Sequence, residues 1–137
     1  MESELTTILI DNLDYNQIGG RRGVIFTRGN SFVLSPYVNT GNRFDISEKN
    51  ILKAFDHAEN GILLIRYYDT FLACSLRQFL KEMIDEKSRS TYPNKKGRWC
   101  FQVNYNSVYE IQRIKYKKTM YVSQITKEEL LTSNTIK

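Results

Sequence analysis

The residues best equipped for chemistry in this chain are cations and rings. Residues 87–118 hold nine Lys or Arg (Lys87, Arg89, Lys95, Lys96, Arg98, Arg113, Lys115, Lys117, Lys118) against one acid, Glu110. Six aromatics lie between them: Tyr92, Trp99, Phe101, Tyr105, Tyr109 and Tyr116. Cations neutralise phosphates and release counterions while exposed rings offer stacking faces, so the mixture suits a nucleic-acid-binding surface. The competing view is an ordinary sheet whose rings are core and whose charges are solvated. A second basic motif, Gly19-Gly-Arg-Arg-Gly23, could cradle a phosphate on backbone amides with Arg21 and Arg22 beside it. It fits neither the Walker spacing nor the dinucleotide fingerprint, and a turn with two solvated arginines is its bland alternative.

Signals for catalysis are sparse. His57, the single histidine, follows Asp56 with no serine or cysteine motif to supply a nucleophile, so no catalytic residue is assigned. Two cysteines and one histidine cannot build a four-ligand zinc site without carboxylates, and no C-x-x-C pair occurs. Neither a metal nor a cofactor is expected on these grounds. Cys74 and Cys100 lie in apolar runs and read as reduced core residues. Asp11, Asp14, Asp45, Asp69 and Glu110 could still converge in space, which sequence spacing does not reveal.

The elements that must position these groups follow from periodicity. Leu5 to Ile10 is a short β-branched run that reads as a strand, with a helical turn as the alternative. Residues 23–27 and 31–35 flank Arg28-Gly-Asn30, a link of hairpin length. Residues 36–46 read as a loop. Ser47 caps a helix with Ile51, Leu52, Phe55 and Ala58 on one face, and Gly61 stands where a left-handed residue would stop it. Residues 62–67 and 70–74 form a second hairpin around Tyr68-Asp69. Ser75 then caps a helix whose Leu76, Phe79, Leu80, Met83 and Ile84 follow the spacing of a core-facing stripe.

Residues 87–97 show no periodicity and read as an exposed basic loop. Residues 98–105, 108–115 and 119–124 alternate as three antiparallel strands, and Thr126 with Glu129 is a capping box for a short last helix. The order is approximately βββ-α-ββ-α-βββ-α. That makes an α+β fold with a mainly antiparallel sheet and two to three helices. Strand alternation puts Trp99, Phe101, Val103 and Tyr105 on one face, and a sheet face bearing Arg98, Gln102, Arg113 and Lys115 beside the basic loop would grip phosphates.

At 137 residues the chain is expected to form one compact domain, 1–137, long enough to bury a core without staples. Its longest apolar run, Gly61-Ile-Leu-Leu-Ile65, is far short of a membrane span. The first residues are acidic where a targeting peptide would be basic, so a cytoplasmic protein is expected, in the host cytoplasm if viral. Charge is uneven. Residues 1–69 carry seven bases and nine acids (−2), and residues 70–137 thirteen and six (+7), which points to an acidic partner for the second half.

One family resemblance bears on function. Asp14-Tyr-Asn-Gln-Ile18 followed by Gly20-Arg-Arg-Gly-Val-Ile-Phe26 resembles the start of the catalytic hairpin in RecU-type Holliday-junction resolvases, of the PD-(D/E)XK nuclease fold. The later order of helix, strands, helix and basic loop is also similar, over residues 14–97. Those nucleases place a Glu-x-Lys after the phenylalanine, where the carboxylate binds a divalent ion and the lysine helps activate water. This chain has Phe26-Thr27-Arg28-Gly29, which leaves Asp14 as the one catalytic residue of that set. Hydrolysis at a metal needs several carboxylates, so the resemblance implies binding without cutting.

The expected function is therefore a small non-catalytic nucleic-acid-binding domain. Two alternatives accompany it. One is a phage-type inhibitor that grips a host or defence nucleoprotein through tyrosine and arginine anchors. The other is a metal-dependent nuclease with a rearranged active site drawn from Asp14, Asp45, Asp69 and Glu110.

Overall fold

A computed structural model describes residues 2–84, 97–114 and 118–132 of the chain. It begins with a departure from expectation. The run from Leu5 is helical: α1 (Glu2–Thr7) continues into a π-helical turn, Ile8–Asn12. Leu5, Ile8, Leu9 and Leu13 recur at helical spacing and are all buried, so the pull of one apolar face overrides the β-branched content of this run. The turn widens as the Leu13 amide donates to the Ile8 carbonyl (3.0 Å) and the Tyr15 amide to that of Leu9 (2.9 Å).

Three short strands follow: β1 (Asn16–Ile18), β2 (Ile25–Arg28) and β3 (Ser31–Leu34). β2 and β3 form the expected hairpin, with Arg28 opposite Ser31 across the turn Gly29-Asn30. The stretch read as a loop contains β4 (Arg43–Ser47), whose Phe44 and Ile46 face inward. Two inward residues give too little alternation to announce a strand, and its partner lies more than fifty residues on. Then come α2 (Glu48–Asp56), β5 (Gly61–Tyr67), β6 (Thr70–Ser75) and α3 (Leu76–Met83). Both helices carry the expected caps: Ser47 Oγ accepts from the Asn50 amide (3.2 Å) and Ser75 Oγ from the Gln78 amide (3.0 Å).

Gly61 does not stop α2 as a left-handed cap. It opens β5 and is needed for close approach, because a Cβ there would meet Leu76 Cδ2 at 2.5 Å and the His57 carbonyl oxygen at 2.9 Å. The last elements are β7 (Arg98–Tyr105), β8 (Tyr109–Arg113), β9 (Thr119–Ile125) and α4 (Lys127–Thr132). Thr126 and Glu129 exchange both capping-box bonds, each at 3.1 Å. The fold is α+β, with four helices among the described residues because the first run joins them. None of these is long and apolar enough to cross a membrane.

Among the described residues, nine strands join one sheet in the order β1-β2-β3-β5-β6-β9-β8-β7-β4. Every pairing is antiparallel except that of β3 with β5. β9 stitches two halves together: its residues 119–122 pair with β8, and 123–125 pair with β6. The larger core gathers Leu63, Ile65 and Leu72 from one half and Trp99, Phe101, Ile111 and Met120 from the other around α2 and α3. One sheet can supply both sides of that cluster only by bending around the helices. The Phe79 and Phe101 rings meet at 5.3 Å inside it, and burying such side chains contributes about 1.5–3 kcal/mol each. A smaller core on the opposite face of β2, β3, β5 and β6 takes Leu5, Leu9, Leu13 and Leu130 from α1, its π-helical turn and α4.

Candidate functional site

Where β4 forms the free edge of the sheet, a cleft of about 570 Å³ opens. Arg22, Arg43 and Arg98 line it together with Asp45, Tyr37, Asn39, Asn50 and Cys100. Three guanidinium groups and one carboxylate make its lining cationic, and the planar fork of arginine matches phosphate geometry.

Each arginine is placed by a different local device. Arg22 ends a 3-10 turn, Gly20–Arg22, that Gly19 and Gly20 enter with φ of 91° and 81°. Gly23 then passes so close to Ile18 that a Cβ would fall 1.9 Å from its carbonyl oxygen. Gln17 Nε2 fastens the loop by donating to the carbonyls of Arg21 (3.1 Å) and Gly23 (2.9 Å). Arg43 follows a turn in which Asn39 Oδ1 accepts from the amides of Gly41 (2.9 Å) and Arg43 (3.2 Å). Its Nε then donates to Gln102 Oε1 (3.0 Å). Arg98 enters from β7, and its Nη2 pairs with Asp45 Oδ1 at 2.8 Å.

The wall beneath Tyr37 is held by a buried cation. Arg66 is 1% exposed, and its guanidinium lies 5.1 Å from the Tyr37 ring centroid and 5.2 Å from that of Phe26. Nε and Nη2 donate to the Ser35 carbonyl (3.0 and 2.6 Å), and Nη1 donates to Thr6 Oγ1 (2.6 Å). Backbone and hydroxyl acceptors satisfy the charge locally, so Arg66 ties α1, β5 and the cleft wall together.

The residues singled out from the sequence are distributed unevenly. Arg22 and Arg98 reach the cleft, whereas Arg21 is exposed on the same turn without lining it. Lys118 is exposed ahead of β9, and its carbonyl accepts from the Arg113 amide (2.7 Å). Lys87, Arg89, Lys95, Lys96, Lys115 and Lys117, with Tyr92 and Tyr116, lie outside the described residues.

Arg113 requires a correction. The register sets Phe101 opposite Arg113 and Gln102 opposite Gln112, so Arg113 shares the inward face of the sheet and not that of Arg98. It is 2% exposed, and its Nη1 donates to the Met83 carbonyl (3.2 Å) at the end of α3. A cation there satisfies helix-terminal carbonyls, which is a structural task. The outward face of β4, β7 and β8 instead shows Arg43 and Arg98 with Asp45 and Glu110, a balanced set.

The other candidates separate as well. His57 stacks on Phe32 with ring centroids 4.5 Å apart. Asp14 follows the π-helical turn, Asp69 sits in the β5–β6 turn, Asp45 faces Arg98, and Glu110 projects from β8. Among the described residues, no three His, Cys, Asp or Glu gather as a metal would require. Burial pushes the Cys74 thiol up to about 12, with Glu82 adding to the shift, so it stays protonated.

Sequence reasoning missed Arg43, Tyr37 and Asn39. The signal for them was the Asn39-to-Asn42 turn ahead of the alternating Arg43-Phe44-Asp45-Ile46. Tyr105 keeps the face that alternation gives it with Trp99, Phe101 and Val103, but those three are buried whereas Tyr105 runs beyond the core and is 64% exposed.

Comparison with known proteins adds no relative: no protein-family model matches the chain, and no curated protein matches its sequence.

Proposed function

We propose that this chain is a non-catalytic nucleic-acid-binding domain that holds the phosphate backbone in the cleft at the edge of β4. The observation that carries it is the convergence of Arg22, Arg43 and Arg98, from three distant segments, on one open cleft with a single facing carboxylate. Arginines brought together at a surface repel one another unless an anion sits between them. Phosphate is the anion that best repays three forks, and a repeating phosphate backbone suits an open cleft better than an enclosed pocket. The resemblance of residues 14–97 to junction resolvases, with Thr27-Arg28-Gly29 where those enzymes carry the catalytic Glu-x-Lys, agrees with binding without cleavage.

The test is fluorescence anisotropy with labelled DNA and RNA across a salt series. Three phosphates neutralised in the cleft give a log–log salt slope of roughly −2 to −3, and Arg22→Ala with Arg43→Ala flattens it by about 2. Undetectable affinity for DNA and RNA at low salt, or affinity unmoved by the double variant, overturns the proposal. Incubation with plasmid and junction DNA in Mg²⁺ or Mn²⁺ checks the non-catalytic half. Strand cleavage that Asp14→Asn abolishes would replace binding with hydrolysis.

A further inference from the structure

A row of four tyrosines runs from the β5–β6 turn to the end of β7. The rings of Tyr105 and Tyr109 are 4.7 Å apart, those of Tyr109 and Tyr67 5.5 Å, and those of Tyr67 and Tyr68 4.8 Å. Its middle members, Tyr67 and Tyr109, pack against the larger core, while the end members, Tyr105 and Tyr68, are 64% and 45% exposed. The row carries no formal charge. Burial raises the Tyr67 hydroxyl's pKa further, with Tyr109 and Tyr68 adding to the effect.

One hydrogen bond links the row to the cleft, at its Tyr68 end. Tyr68 Oη donates to Asn42 Oδ1 (2.5 Å), and Asn42 immediately precedes the cleft arginine Arg43. Tyr68 also adopts a φ of 54°, a left-handed conformation that glycine or asparagine takes at far lower cost in a tight hairpin turn. A bulky ring kept at such a position, half exposed, is strain retained at a surface, and strain of this kind gathers at binding sites.

We infer that the nucleic acid is single-stranded, its phosphates in the arginine cleft and its bases stacked on the Tyr68–Tyr105 row. The inference rests on the cleft reading above and names the ligand class for it. A single strand offers alternating charge and π-faces, which is the pairing of surfaces found here. A duplex hides its base faces and would leave the tyrosines idle. A protein partner would suit tyrosines but gives no reason for a cationic cleft joined to their Tyr68 end.

The experiment compares a labelled single strand of about 12 nucleotides with its duplex, in the intact chain and in Tyr68→Gly and Tyr105→Ala. Tyr68→Gly removes the ring at a position whose φ of 54° glycine adopts readily. Tighter binding of the single strand is expected, with a loss of roughly tenfold in each tyrosine variant and an unchanged salt slope. Equal affinity for duplex and single strand, or single-strand affinity unmoved by both substitutions, overturns this inference. If binding still falls with Arg22→Ala and Arg43→Ala, the cleft proposal survives, and the row is then a protein-contact surface. If nothing binds at low salt, both fail together.

Discussion

At the scale of single residues, two arginines of like chemistry have opposite consequences. Arg113 is buried and satisfies the Met83 carbonyl, so Arg113→Ala is expected to cost about 2–4 kcal/mol in urea unfolding. Arg22 is exposed at the cleft, and Arg22→Ala should leave stability within about 0.5 kcal/mol while weakening anion binding. A stable Arg113 variant that loses nucleic-acid affinity would reverse the two assignments. Cys74 gives a pH dependence of definite sign. Its thiol is held up near 12 in the folded chain, so between pH 9 and 12 the unfolded chain ionises while the folded one does not. The unfolded state then binds fewer protons, and stability falls as pH rises, by at most about 1.4 kcal/mol per unit. Subtracting the profile of Cys74→Ala isolates this part, and parallel profiles would show that burial does not hold the proton. Residue identity alone could not separate these cases. Arg113 and Arg98 stand in the same basic stretch, and only cross-strand register tells which one turns inward.

At the scale of elements, what sequence showed depended on how locally each element is determined. α2, α3 and α4 were legible because a serine or a capping box marks the start and an apolar stripe marks the buried face. The two hairpins, 25–34 and 61–75, were legible because each closes through a two-residue turn. α1 was misread, since four β-branched residues between Thr6 and Ile10 mask the spacing of Leu5, Leu9 and Leu13. β4 was missed because the strand exists through its pairing with β7, a contact between residues about fifty positions apart. Gly61 was recognised as important but for another reason than the structure supplies. Gly61→Asn, which a left-handed cap would accept, should destabilise by about 1–3 kcal/mol, since its Cβ meets Leu76 and the His57 carbonyl. Thermal unfolding checks this, and an unchanged midpoint would restore the capping role.

At the scale of the whole molecule, the cleft is a product of the long sheet. Bending brings the β1–β2 end and the β4–β7 end toward each other, and Arg22 and Arg98 line the same cleft. Asp45 then sets the net charge of that gap. Asp45→Asn releases Arg98 from its 2.8 Å partner and should tighten oligonucleotide binding about three- to tenfold at low salt, less at high salt. Weaker binding in that variant would mean that Asp45 positions Arg98 more than it competes for it. By itself the sequence determined the α+β class, the helices with caps, the two hairpins and the excess of positive charge in the second half. Those properties depend on neighbours within a few residues or on composition, which the linear order contains. The tertiary structure decided which cations are exposed, which rings leave the core, and which distant residues share a cleft. Arg22, Arg43 and Arg98 are separated by tens of residues, and only strand register and sheet bending make them neighbours.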